Sequence, residues 1–198
     1  LPLAIQSYLS QDYENKELIV IDDGDDLIQD MVKDIPGVRY YFYPADNLSQ
    51  KRNAGLRFAE GDVVIHFDSD DWSGPGRMRH QVEHLQGRKV TGYSKAFWYD
   101  TLTDRATYAS CGLWGATLCY DRKWALSHPW DETRINCEDA FFLAPAVDEN
   151  VIGEQEGGEN FVALAHRRNF ARPFGQSGWG IIANELLPEG FRRAYVRN

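Results

Sequence analysis

Cysteine is scarce in this chain: three residues in 198, Cys111, Cys119 and Cys137. They are odd in number, with no CxxC pair and no Cys/His spacing suited to zinc, which argues against a disulfide framework or a zinc knuckle. We read them as packing residues of a protein kept in a reducing compartment. Long apolar runs are also missing, since nothing approaches the ~20 consecutive apolar residues of a membrane span. No transmembrane segment is expected. Positive charge is in deficit, with 21 Lys and Arg against 30 Asp and Glu and a net charge of -9, and the pI is near 5.0. No basic tract interrupts that balance, so nucleic acid is excluded as a non-specific partner and an anionic bilayer as an electrostatic dock. There is no internal repeat and no low-complexity stretch.

What is present is enough apolar material, 43% of residues, to bury one sizeable core. A single domain over residues 1–198 is expected. Periodicity and turn residues predict the end of a helix over 3–9, a strand over 17–21, a helix over 27–33, a strand over 38–42, a helix over 49–59, a strand over 63–67 and a helix over 75–85. Such alternation predicts an α/β fold, a mostly parallel central sheet flanked by helices. After residue 89 the pattern changes. Residues 90–100 and 105–109 are rich in β-branched and aromatic side chains around the turn Thr101-Leu102-Thr103-Asp104, which predicts a hairpin and a smaller mixed-sheet portion. Asp121 is placed to cap a short helix ending at 126. Residues 138–146 predict another helix and 161–165 a strand. Residues 153–158, rich in Glu and Gly, read as a loop, mobile or simply connecting.

The most informative stretch is Val63-Val64-Ile65-His66-Phe67-Asp68-Ser69-Asp70-Asp71-Trp72. It reads as a central parallel strand running into three carboxylates, at the strand end where open α/β sheets bind ligands. Three carboxylates so close repel one another, so the cluster suits a hard cation with oxygen ligands. Asp-rich turns also cap helices and solvate loops. A second strand end, Glu17-Leu18-Ile19-Val20-Ile21-Asp22-Asp23-Gly24, repeats the arrangement, which a solvated loop has no reason to do. Lys51 and Arg52 fall in the first turn of a predicted helix, where the macrodipole disfavours cations, so a nearby anion is implied; otherwise they extend into solvent. Glu138 and Asp139 open a half-buried helix, where acidic residues are favoured for dipole reasons alone. His66 is expected to pack and hydrogen-bond rather than ligate. Trp114 either lines a pocket or packs in the core.

The blocks Gln11-Asp12-Tyr13-Glu14-Asn15-Lys16-Glu17-Leu18-Ile19-Val20-Ile21-Asp22-Asp23-Gly24, Lys51-Arg52-Asn53-Ala54-Gly55, Asp68-Ser69-Asp70-Asp71 and Glu138-Asp139, in that order and spacing, resemble the family 2 glycosyltransferases of the GT-A fold. The resemblance covers roughly the first 140 residues. It implies a Rossmann-like GT-A domain with a nucleotide-sugar-binding half, 1–89, and an acceptor-side half, 90–198. It also implies an inverting, hexosyltransferase-like transfer from a UDP-, GDP- or dTDP-linked sugar to a saccharide or glycolipid hydroxyl, with Mn2+ or Mg2+ as cofactor. By that resemblance Asp68 and Asp70 form the DxD motif, Asp70 binding metal and Asp68 the donor or the metal. Asp22, Asp23, Lys51 and Arg52 contact the donor. Asp139, with Glu138 beside it, supplies the base; His166, which as a lone histidine reads as structural, is a candidate for the metal or diphosphate because some relatives have a His near this position. Asp71 and Trp114 are acceptor-side candidates, and Arg167 and Arg168 are candidates to face phosphates.

Two departures bear on this. Relatives open with a strand that lies in the middle of the sheet, and here the first residues already read as the following helix. Without that strand, backbone groups on its neighbours would go unpaired. The simplest expectation is a piece of a longer protein, and an intact mass of 22.7 kDa for the natural product would refute it. The C-terminal third carries no Gln-x-x-Arg-Trp block, which argues against a processive polymerase. The alternatives are a sugar nucleotidyltransferase and a non-catalytic nucleotide-sugar or carbohydrate-binding module. The family analogy implies surface polysaccharide or glycoconjugate synthesis in the cytoplasm, or peripherally at the inner face of the membrane, by a monomer or homodimer.

Overall fold

The computed structural model describes residues 1–25, 28–110, 112–166 and 180–196. The chain opens with α1 (Pro2–Leu9), β1 (Leu18–Asp22), β2 (Val38–Phe42), α2 (Leu48–Phe58), β3 (Val63–Ile65), β4 (Trp72–Ser73) and α3 (Arg77–Leu85). There follow β5 (Val90–Asp100), β6 (Arg105–Ser110), β7 (Cys119–Asp121), α4 (Arg122–Ser127), α5 (Glu138–Asp148), β8 (Ile152–Glu156), β9 (Phe161–Ala165), β10 (Ile181–Ile182) and α6 (Glu189–Tyr195). Local chemistry explains several of these boundaries. Asn47 accepts the Gln50 N–H at 3.0 Å and starts α2. Asp121 accepts the Trp124 N–H at 2.7 Å and starts α4, the cap that the sequence predicts.

The α/β class holds, with mixed pairing. Among the described residues β1 and β2 form a parallel pair, and the other eight strands form a second sheet organised on β5. The first half of β5 pairs with β7 on one side and β8 on the other; its second half pairs with β6 and β9. A register shift between Tyr93 and Lys95 marks the change, and such a bulge bends a strand. The bend lets one eleven-residue strand serve two sets of neighbours. Side chains from both halves and from the helices bury Tyr120, Trp130 and Phe142 in one cluster, Trp72, Leu164 and Phe191 in a second, and Tyr93, Phe161 and Ala163 in a third. No helix among the described residues is long and apolar enough to cross a membrane.

Three expectations are corrected. The strand expected over 63–67 is short and pairs antiparallel with β7, not parallel within a run of βα units. The partner is a strand that returns after the β5–β6 hairpin, and period alone cannot report that. The helix expected over 27–33 is, where described, a three-residue 3₁₀ turn, Gln29–Met31; the Ile28 N–H goes to the Asp22 carboxylate, and Pro36 follows closely. Residue 27 lies outside the described residues. Residues 153–158 are no loop, because β8 occupies most of them. Gly153 lets the strand pass under Arg88, since a Cβ there would stand 2.4 Å from Arg88 Cδ. Glu156 points to the rim, where it meets Lys95 and Tyr108.

Candidate active site

The acidic turn leaves β3 and returns as β4, and its carboxylates go to different places. Asp71 is buried and accepts the Leu164 N–H at 2.9 Å, tying the turn to β9. Burial, with the charge of Asp68 added, pushes its carboxyl well above the usual range against that hydrogen bond. Asp70 is 40% exposed, and its Oδ2 accepts from His166 Nε2 at 2.7 Å. An ionised carboxylate only accepts, so that nitrogen carries the proton and would ligate a metal only after losing it. Asp68 is open to solvent on one side. Desolvation by the protein behind it raises its pKa; Arg52 opposes the rise and Asp70 reinforces it. Water reaching this carboxylate damps the shift. Among the described residues no three His, Cys, Asp or Glu side chains converge to hold a metal by themselves.

The end of β1 forms a second acidic group. Asp22 is buried and accepts from Tyr40 Oη at 2.8 Å and from the N–H groups of Gly24 and Ile28, both at 3.1 Å. Burial alone would raise its pKa, but these donors and the charge of Lys51 outweigh it and hold the carboxyl below its ordinary value. Asp23 pairs with Lys51 at 2.9 Å. Lys51 and Arg52 are consecutive on α2, so their side chains diverge by about 100° around the helix. Lys51 therefore serves the β1 end, and Arg52 turns towards α5.

There Arg52 Nη1 donates to Glu138 Oε1 at 2.8 Å, both side chains being mostly buried, and its guanidinium lies 4.2 Å from the Trp130 ring centre. Asp139 accepts the Gly115 N–H at 3.2 Å and the Ala140 N–H at 2.9 Å. The Gly115 carbonyl meets His66 Nδ1 at 2.6 Å. A carbonyl cannot donate, so Nδ1 carries the proton and Nε2 accepts from Tyr120 Oη at 2.8 Å. Burial, assisted by the charge of Arg52, pushes the His66 pKa down to about 3. This is the packing and hydrogen-bonding histidine expected. Trp114 packs against Trp98 at 5.6 Å and Phe161 at 6.1 Å between ring centres. Arg167 and Arg168 lie outside the described residues.

Two residues of this corner escaped the sequence reading. Gly115 touches three site residues at once, and a Cβ there would stand 2.0 Å from Arg52 Nη2; a lone glycine in a loop gives no signal of that. Arg77 is wholly buried beneath the acidic turn. Its signal was available: it opens α3, where a cation is disfavoured, as with Lys51 and Arg52.

A family model described as Glycosyl transferase family 2 matches residues 1–125. The chain belongs to glycosyl transferase family 2. The family match takes in both acidic strand ends, Arg52, Arg77 and Gly115, and stops before α5. An uncharacterized glycosyltransferase of Haemophilus influenzae is 33% identical over 87 residues, covering 41% of this chain and 35% of that protein. One from Nostoc sp. is 31% identical over 98 residues, covering 46% and 30%. The chain thus spans about a third of the length of these relatives. Among solved structures, S. aureus TarS superposes with a TM-score of 0.63 at 17% identity over 82% of this chain and 56% of that one. Its complex with UDP-GlcNAc gives 0.63 at 16% identity, over 83% and 54%. At these identities the likeness carries the fold, a GT-A fold, and no more.

Proposed function

We propose that this family 2 domain transfers a sugar from a nucleoside-diphosphate sugar to an acceptor hydroxyl, with inversion. The observation that carries the reading is the convergence of the Asp68–Asp70 turn with the corner formed by Arg52, Glu138 and Asp139. His66, two positions before Asp68, meets the Gly115 carbonyl at 2.6 Å, Asp139 accepts the Gly115 N–H at 3.2 Å, and Arg52 holds Glu138 at 2.8 Å, which supports donor-side and acceptor-side groups sharing one space. Asp139 is the base of the reaction: its carboxylate is held by two backbone N–H groups and accepts the proton of the attacking hydroxyl. Glu138 holds Arg52, and Asp22 and Asp23 with Lys51 form the nucleotide end. In this reading residues 1–89 serve the donor and 90–198 the acceptor, except that His166 of the second half reaches the Asp70 carboxylate.

The chemistry of the donor set fits Mn2+ or Mg2+. Such ions keep waters and take one or two protein carboxylates plus substrate phosphates, so a full protein cage is not required. Asp70, with Asp68 and His166 beside it, would hold the ion, which when bound stabilises the charge of the departing diphosphate. UDP-linked sugars are the first donors to test, because the structurally similar TarS was solved with UDP-GlcNAc. A hexose is the sugar and a saccharide or glycolipid the acceptor we favour, in surface polysaccharide or glycoconjugate assembly on the cytoplasmic side of a membrane.

Calorimetric titration of the protein with UDP, GDP and dTDP, each with and without Mn2+, tests the reading. Metal-promoted binding of one nucleotide, abolished by Asp70→Ala, is expected. Binding of none by the full-length protein would refute it, and an anomeric configuration retained in the product would refute inversion.

A further inference from the structure

Arg77 is 0% exposed, and among the described residues its guanidinium has no carboxylate among its hydrogen-bond partners. Nη1 donates to Ser73 Oγ at 2.7 Å, and Nη2 donates to the carbonyls of His66 and Ala116, both at 2.8 Å. Nε donates to Gln81 Oε1 at 3.1 Å. The rings of Phe67 and Phe161 lie 4.8 Å away on centre. Burying a full charge on neutral acceptors is costly, so a purely structural need would be met more cheaply by an apolar side chain.

The acceptors are informative by position. His66 and Ser73 flank the acidic turn, one before Asp68 and one after Asp71. Ala116 follows Gly115, whose N–H holds Asp139. One planar fork therefore pins both ends of the turn and ties it to the wall that carries Asp139. Its charge also reaches Asp68 and Asp71, offsetting the mutual repulsion of a turn rich in carboxylates. We propose that Arg77 is a positioning residue: through the His66 and Ala116 carbonyls and the Ser73 hydroxyl it sets the spacing of Asp68 and Asp70 relative to Asp139 before any ligand arrives. This rests on the donor-site reading above for its consequence, and on the hydrogen bonds alone for its geometry.

Lysine keeps the charge but cannot bridge three oxygens from one planar group, so Arg77→Lys separates geometry from charge. Ser73→Ala removes one arm of the clamp and leaves the arginine in place. Hydrogen exchange of the amides at 68–71 and Mn2+-promoted nucleotide binding are measured on both variants and the unaltered protein. In Arg77→Lys the turn amides should exchange about tenfold faster while the β5 amides keep their protection, and nucleotide binding should weaken about tenfold. Ser73→Ala should move both readouts in the same direction by less. Unchanged exchange at the turn would overturn the inference. So would a loss of protection spread through β5 in both variants, which would make Arg77 a core residue only. An unaltered protein that binds no nucleotide would sink the transferase reading, while the exchange result would still decide whether Arg77 holds the turn.

Discussion

At the scale of single residues, neighbouring acids have been given unlike surroundings. Glu138 is closed on Arg52, whereas Asp139 accepts from two backbone N–H groups and, among the described residues, from no side chain, the surroundings on which we propose it as the base. Asp139→Asn should lower kcat by about 10²- to 10⁴-fold while nucleotide affinity, read by calorimetry, stays near that of the unaltered protein. A matching loss of both would move Asp139 to the donor side. Breaking the Arg52–Glu138 pair leaves a charge mostly buried and unpaired, since the side chains are 9% and 16% exposed. Arg52→Met should therefore cost about 2–4 kcal/mol in urea unfolding, with part of it recovered in the double variant with Glu138→Gln. Full additivity would show that the pair is not coupled. Gly115→Ala must displace the Arg52 guanidinium, the atom nearest its new Cβ. We expect kcat/KM to fall by at least about tenfold with a stability loss below that of Arg52→Met.

Between elements, Glu17 joins β1 to the turn that precedes β3. Its Oε1 accepts the N–H groups of Glu60 and Gly61 at 2.6 and 3.0 Å, and Oε2 pairs with Arg39 at 3.0 Å. Burial raises its pKa, but those three donors outweigh it and the net shift is downward. A folded-state value below the unfolded one means that the unfolded chain takes up the proton first. The stability this group contributes is complete above its unfolded pKa, near 4.5, and is lost as pH falls through the folded value. Glu17→Gln should flatten that part of the acid-unfolding curve and cost about 1–3 kcal/mol at neutral pH. An unchanged acid limb would show that the clasp does not form in solution. This link was invisible in the sequence, where Glu17 read only as the start of a strand; its partners lie 22, 43 and 44 positions away.

For the whole molecule, the division into two sheets sets the order of opening. No ladder joins the β1–β2 pair to the β5 sheet among the described residues. β2 has no buried residue, whereas β9 is buried throughout. Side chains make the link instead: the Glu17 clasp reaches the turn before β3, and Tyr41 stacks on Phe58 at the end of α2 at 4.0 Å. Local stability follows buried contact and ladder pairing. Amides of Leu18–Asp22 should therefore exchange by a sub-global opening, well before those of Val90–Asp100. Equal protection in the two strands would refute that independence and show one cooperative unit.

The sequence alone determined the α/β class, the longer helices and strands, and the position of an acidic group at each of two strand ends, because period, turn residues and charge are local properties written in consecutive positions; β4, β7, β8, β10 and α6 left no such mark. It also carried the family through four short blocks in order. Tertiary structure decided what sequence distance hides. Only the fold paired Val63–Ile65 antiparallel with Cys119–Asp121 and turned a Glu/Gly-rich stretch into β8, since pairing depends on which distant strand arrives alongside. Only the fold divided the three turn carboxylates, sending Asp71 to the Leu164 backbone and Asp70 to His166, because burial and the nearest donor, rather than residue type, set what each carboxylate does. The same holds for Gly115 and Arg77, whose roles come from atoms brought within 3 Å or so by packing.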